Sequence, residues 1–188
     1  KITIFENIIK QHIMKKLLLI LLTTFFLSCC NKDDDNPQTL PPATQTGAGT
    51  FACYVNGKPF IDTSGGYFNC YYQFTGGEYY FGIGGDDNDL NPQNVYIQTQ
   101  KKQIVQGQTY TFSVIQDGNA YAGCGFSFSP TESYQSYTDS QYSGELTITK
   151  LDFTNHIVSG TFWFDIPHPV TGETIQIREG RFDTLFTE

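Results

Sequence analysis

Basic residues are scarce in this chain: 11 Lys and Arg stand against 19 Asp and Glu among 188 residues, a formal charge of −8. Phosphate-binding surfaces are basic, so nucleic acid is excluded as a partner class. The longest apolar run, residues 17–27, covers 11 positions, whereas a transmembrane helix needs about 20. Histidine is rarer still. Beyond that run only His156 and His168 occur, with no CxxC pair, which argues against a zinc site. Neither histidine lies near a GxSxG-type elbow, so nucleophilic catalysis has no recognisable motif. What is abundant is aromatic: 16 Phe and 12 Tyr, accompanied by 18 Gly. A helical domain would instead be rich in Ala, Leu, Glu and Lys, so the composition points to a β-domain.

Met14, the only methionine, is followed by Lys15, Lys16 and the apolar run. A short positive segment and an 11-residue apolar core have the proportions of a signal peptide. The run closes in Phe26-Leu27-Ser28-Cys29, which resembles a bacterial lipobox. That resemblance implies cleavage before Cys29 and a diacylglycerol thioether on its sulfur, with Cys30 the poorer alternative. Each buried acyl CH₂ contributes about 0.8 kcal/mol, so several chains hold a soluble domain on a membrane. Residues 1–13 are expected to be an upstream over-reading of the start, residues 14–28 the signal peptide, and residues 29–50 a lipidated flexible tether.

Asp33-Asp34-Asp35 follows the cysteines and resembles the export signal that carries Bacteroidota lipoproteins to the outer face of the outer membrane. Residues 36–50 are rich in Pro, Gly, Thr and Gln without a period, as a tether should be. From Cys29 onward 7 basic side chains face 18 acidic ones, a net −11. Such a chain is repelled by anionic membrane, which makes the acyl group the expected attachment to the outer membrane.

From residue 51 the apolar pattern repeats every two positions. Phe81 and Ile83, Val95 and Ile97, Tyr110 and Phe112, Leu146 and Ile148, Phe162, Phe164 and Ile166, and Ile175 and Ile177 each line one face of a short run. Asn56-Gly57 is a strong hairpin signal, and Asp117-Gly118 is a second tight turn. The spacing predicts a single all-β domain over 51–188, an antiparallel β-sandwich or flattened β-barrel of about ten strands. Residues 131–141 break the alternation and are expected to be a long loop or a single helical turn. The core is expected to be aromatic, because Phe and Tyr rings bury about 150–250 Å² each.

Gly49-Thr50-Phe51-Ala52-Cys53-Tyr54-Val55-Asn56-Gly57-Lys58-Pro59-Phe60 resembles the opening of an uncharacterised family of Bacteroidota lipoproteins. Val158-Ser159-Gly160-Thr161-Phe162 and Gly180-Arg181-Phe182-Asp183 are similar to that family's closing strands. The likeness covers roughly 51–61 and 144–184. It implies a fold and an address, and it assigns no catalytic residue.

Several residues carry candidate chemistry. Cys53, Cys70 and Cys124 fall on apolar strand faces, where a disulfide and small buried hydrophobes are both open. Asp87, Asp89 and Asn91 alternate in an oxygen-rich loop of the kind Ca²⁺ uses, though Pro92 and Gln98 stand where an EF-hand needs Gly and Glu. Trp163 and Asp165 share the outward face of one strand, where a Trp beside an acid can stack on a sugar. Packing beneath a loop or second sheet is the blander alternative. With Tyr80 and Tyr96, Trp163 forms the expected ligand platform. The chain is thus expected to be a surface lipoprotein that binds a glycan, peptide or lipid, without an enzymatic motif. An accessory subunit of an outer-membrane assembly, contacting another protein, is the alternative, and a glycan-active enzyme a more distant one.

Overall fold

A computed structural model describes residues 39–65 and 70–188. The leader, Cys29, Cys30 and the acidic triplet lie outside the described residues, as do Tyr67 and Phe68. Among the described residues eleven strands follow in chain order: β1 Thr50–Val55, β2 Lys58–Ile61, β3 Cys70–Thr75, β4 Glu78–Asp86, β5 Asn94–Thr99, β6 Thr109–Phe112, β7 Ala120–Ser129, β8 Glu132–Tyr137, β9 Gly144–Asp152, β10 Ile157–Pro167 and β11 Thr174–Leu185. They form one sheet in the order β2-β1-β11-β10-β9-β6-β7-β5-β4-β3, with β8 paired to β7. Every pairing between named strands is antiparallel except β6–β7, which meet in parallel at Phe112 and Ala120. The architecture is all-β and sandwich-like, and the sheet does not close into a barrel.

Local chemistry sets the turns. Asn56 and Gly57 both have positive φ (49° and 78°), the backbone that a two-residue turn matching strand twist requires. They bring β2 back onto β1 with Val55 opposite Lys58. The β1 strand also pairs with β11, so the first and last strands of the domain are neighbours.

The alternating apolar residues meet in one core because the sheet folds over on itself. Phe51 of β1 lies 5.2 Å from Phe162 of β10 by ring centroid, and Phe81 of β4 lies 6.1 Å from Phe182 of β11. The chain after β11 then crosses to the far edge, where the Tyr72 amide donates to the Thr187 carbonyl at 2.8 Å and the Thr187 amide to that of Cys70 at 3.0 Å. Among the described residues six phenylalanines are fully enclosed, Phe51, Phe60, Phe81, Phe112, Phe164 and Phe182, the aromatic core expected from composition.

One expectation is corrected. Residues 132–137, expected as loop or helical turn, are strand β8. Its one buried residue is polar, so no apolar period marks it: Ser136 Oγ donates to the Pro167 carbonyl at 2.6 Å. Beyond its end, Thr138 Oγ1 donates to the Ser113 carbonyl at 2.9 Å. Within the tether expected over 29–50, residues 44–48 are bound to the domain. Thr44 Oγ1 and the Thr46, Gly47 and Ala48 amides all donate to the Asp183 carboxylate.

Candidate functional site

Side chains of β3, β4, β5, β7 and β8 that point away from the core form an open cleft of about 400 Å³, within the range of small-molecule sites. The strand pairing builds it row by row. Tyr96 on β5 sits between Gly84 of β4 and Gly123 of β7, and Tyr71 of β3 sits opposite Gly82 of β4. A Cβ at residue 82 would overlap the Tyr71 ring, and one at residue 123 would lie 2.9 Å from the Tyr96 ring. The glycines therefore leave a floor on which these rings lie. Tyr121 and Tyr137 complete the aromatic lining, with the Tyr96 and Tyr137 rings 5.8 Å apart and edge-to-face.

Amides are placed among these rings. The Tyr121 hydroxyl hydrogen-bonds Gln98 Oε1, and the Tyr137 hydroxyl hydrogen-bonds Gln135 Oε1. Each glutamine is thus held by its oxygen, which leaves the NH₂ group to donate elsewhere. Asn94 lines the same cleft, and its side chain occupies the place a Cβ of residue 125 would take. The Tyr96 hydroxyl is buried without a hydrogen bond of normal geometry. Burial pushes its pKa far above the ordinary tyrosine range, and the neighbouring Tyr137 adds to the effect. Asp86 stands at one end, its carboxyl raised by burial and then by the charge of Asp62. Among the described residues no Lys or Arg lines the cleft.

The expected platform is not one surface. Tyr96 lies in the cleft, but Trp163 is on β10, four strand steps away through β9, β6 and β7; at about 4.8 Å per step this is some 19 Å along the sheet. Trp163 is 39% exposed, yet the Arg178 guanidinium stands 5.4 Å from its ring and its Nε1 donates to Glu145 Oε2 at 3.3 Å. Asp165 is engaged by the same arginine at 2.7 Å. Trp163 borders a separate depression of about 360 Å³ with Thr147 and Thr161, and Asp165 is not among its lining residues. Tyr80 shares the outward face of β4 with Gly82 but does not line the cleft.

The remaining candidates have structural partners. Asp87 Oδ1 accepts the Asp89 amide at 3.1 Å, and the Asp87 amide donates to the Gln93 carbonyl at 2.7 Å. These bonds close the loop on itself. Among the described residues no three His, Cys, Asp or Glu side chains gather as metal ligands. Cys53, Cys70 and Cys124 are buried free thiols. His168 Nδ1 accepts the Val170 and Thr171 amides at 3.3 and 3.2 Å, so it organises the turn after β10.

Sequence reasoning missed Tyr71, Tyr121, Tyr137, Gln98 and Gln135. The available signal was the outward row of each strand, where glycine alternates with tyrosine or an amide: Gly82 and Gly84, Asn94, Tyr96 and Gln98, Tyr121, Gly123 and Gly125. Compared with family models, curated proteins and solved structures, the chain matches none.

Proposed function

We propose that the protein is a lipid-anchored cell-surface binding module that holds a carbohydrate in the Tyr71–Tyr96–Tyr121–Tyr137 cleft. The observation that carries this reading is the lining, in which tyrosine rings and oriented amides alternate over a glycine floor without a cation. Sugars present C–H faces that stack on rings and hydroxyls that pair with amides. Tyrosine offers such contact at low conformational cost. A peptide bound as an added strand needs a free sheet edge, whereas this cleft lies on the face of strands already paired. A lipid would need a mainly apolar lining, and a protein partner a flat patch rather than a concavity. The anchor rests on the lipobox-like Phe26-Leu27-Ser28-Cys29.

The test is a glycan array probed with the full chain in detergent, followed by titration of the best hit against wild type and Tyr137→Ala. Binding by the wild type, weakened about tenfold or more in the variant with unchanged melting, is the expected result. Absence of any carbohydrate ligand, or a hit that Tyr137→Ala leaves untouched, overturns the assignment. Mass spectrometry of the membrane-extracted protein checks the anchor separately, by the presence of an acylated Cys29 at the N-terminus.

A further inference from the structure

Asn94 stands at one end of the tyrosine cleft, its side chain lying over Gly125. A second open trough of about 430 Å³ begins there, lined by Gln93, Asn94, Gly125, Ser127, Ser133 and Gln135 among others. Asn94 and Gln135 border both depressions. Both depressions border β7, whose outward residues run Tyr121, Gly123, Gly125, Ser127. Six residues of strand at about 3.4 Å each make a path of roughly 20 Å. Ser127 stands directly opposite Ser133 across the β7–β8 ladder.

The chemistry changes along this path. At the Tyr121 end rings dominate, and beyond Asn94 the outward side chains Ser127, Ser133 and Gln135 are polar, while Phe126 and Tyr134 also border the trough. Among the described residues neither depression is lined by Lys or Arg, and the one carboxylate lining them, Asp86, repels anions. A compact ligand would fill the aromatic half and leave the polar half to water. An extended, uncharged, hydroxyl-bearing chain satisfies both. Resting on the carbohydrate reading above, we infer that the site is a channel for a neutral linear oligosaccharide of several residues, stacked at the tyrosine end and hydrogen-bonded at the serine end.

The inference is tested with the full chain and a length series of the neutral glycan that scores on the array, from disaccharide to hexasaccharide. The expected result is an affinity that rises about tenfold or more with length. In the double variant Ser127→Val/Ser133→Val, whose β-branched side chains suit strands, the hexasaccharide should fall to the disaccharide's affinity while the disaccharide is unchanged. Equal affinity for short and long chains overturns the channel and leaves the tyrosine site standing. Preference for a uronic-acid or sulfated chain overturns the neutral ligand class. Failure of every saccharide overturns the carbohydrate reading itself.

Discussion

Ser159 Oγ donates to Asp183 Oδ1 at 2.8 Å across the β10–β11 ladder, where the two residues are register partners and both fully buried. The same carboxylate accepts Thr44 Oγ1 at 2.6 Å and the Thr46, Gly47 and Ala48 amides at 2.9, 2.8 and 3.2 Å. A buried charge is costly unless its lone pairs are met, and here one ladder hydroxyl and a strap of preceding chain meet them. Asp183 therefore holds residues 44–48 against the β10–β11 ladder.

Burial alone would raise the Asp183 carboxyl; the bonds from Thr44, Thr46, Gly47 and Ser159 outweigh it and hold it well below the usual carboxylate range. A depressed folded-state pKa adds stability that is present above the unfolded value of about 3.9 and is lost as pH falls further. Asp183→Ala leaves several buried donors unmet and is expected to cost about 3 kcal/mol. For a domain of this size that lowers Tm by about 6–12 °C. Thermal melts at neutral pH check the loss. Melts stepped down through pH 4 to 2 should show a steeper decline for wild type than for Asp183→Asn. A variant melting with the wild type would show that the strap and its carboxylate do not hold the fold.

Adjacent residues on β10 should respond oppositely to substitution. Phe162 is 3% exposed and packs on Phe51, with its ring in the space a Cβ of residue 180 would occupy. Phe162→Asp places an unpaired charge in the core and is expected to abolish cooperative unfolding. Trp163→Ala removes one cation–π contact and one long hydrogen bond at the surface, a loss of about 1 kcal/mol. Urea unfolding of the two variants separates them, and comparable losses would mean that the β10 faces are misassigned.

The inward rows of these strands were legible because burial imposes a period of two. Phe81, Ile83, Val95, Ile97, Leu146, Ile148, Phe164, Ile166 and Ile177 are each at most 2% exposed. Phe74 and Phe128 belong to the same alternation but are 63% and 41% exposed, since periodicity gives the side of a strand and not where the core stops. Strand β8 was hidden for the converse reason, its core contacts being made by Ser136 through a hydrogen bond. The cleft was illegible for want of strand order. Tyr96 meets Gly123 and Tyr137 only because β7 lies beside β5 and β8 beside β7, and no local pattern in a sequence encodes which strands become neighbours.

The three core cysteines give the last test. Cys53, Cys70 and Cys124 are 0%, 3% and 0% exposed, and burial pushes all three thiols far above their ordinary range. For Cys124 burial is the larger cause, and the charge of Cys53 adds to it. Alkylation needs a thiolate and access, so iodoacetamide at mild alkaline pH should leave all three unmodified in the folded protein, as read by peptide mass spectrometry. Unfolding in denaturant without reductant should then expose all three to reaction together, because a single core opens as one unit. If Cys53 and Cys124 stay unmodified until a reductant is added, the pair is oxidised in the native protein. If any of the three reacts while the protein is folded, its strand opens locally and the core does not extend over it.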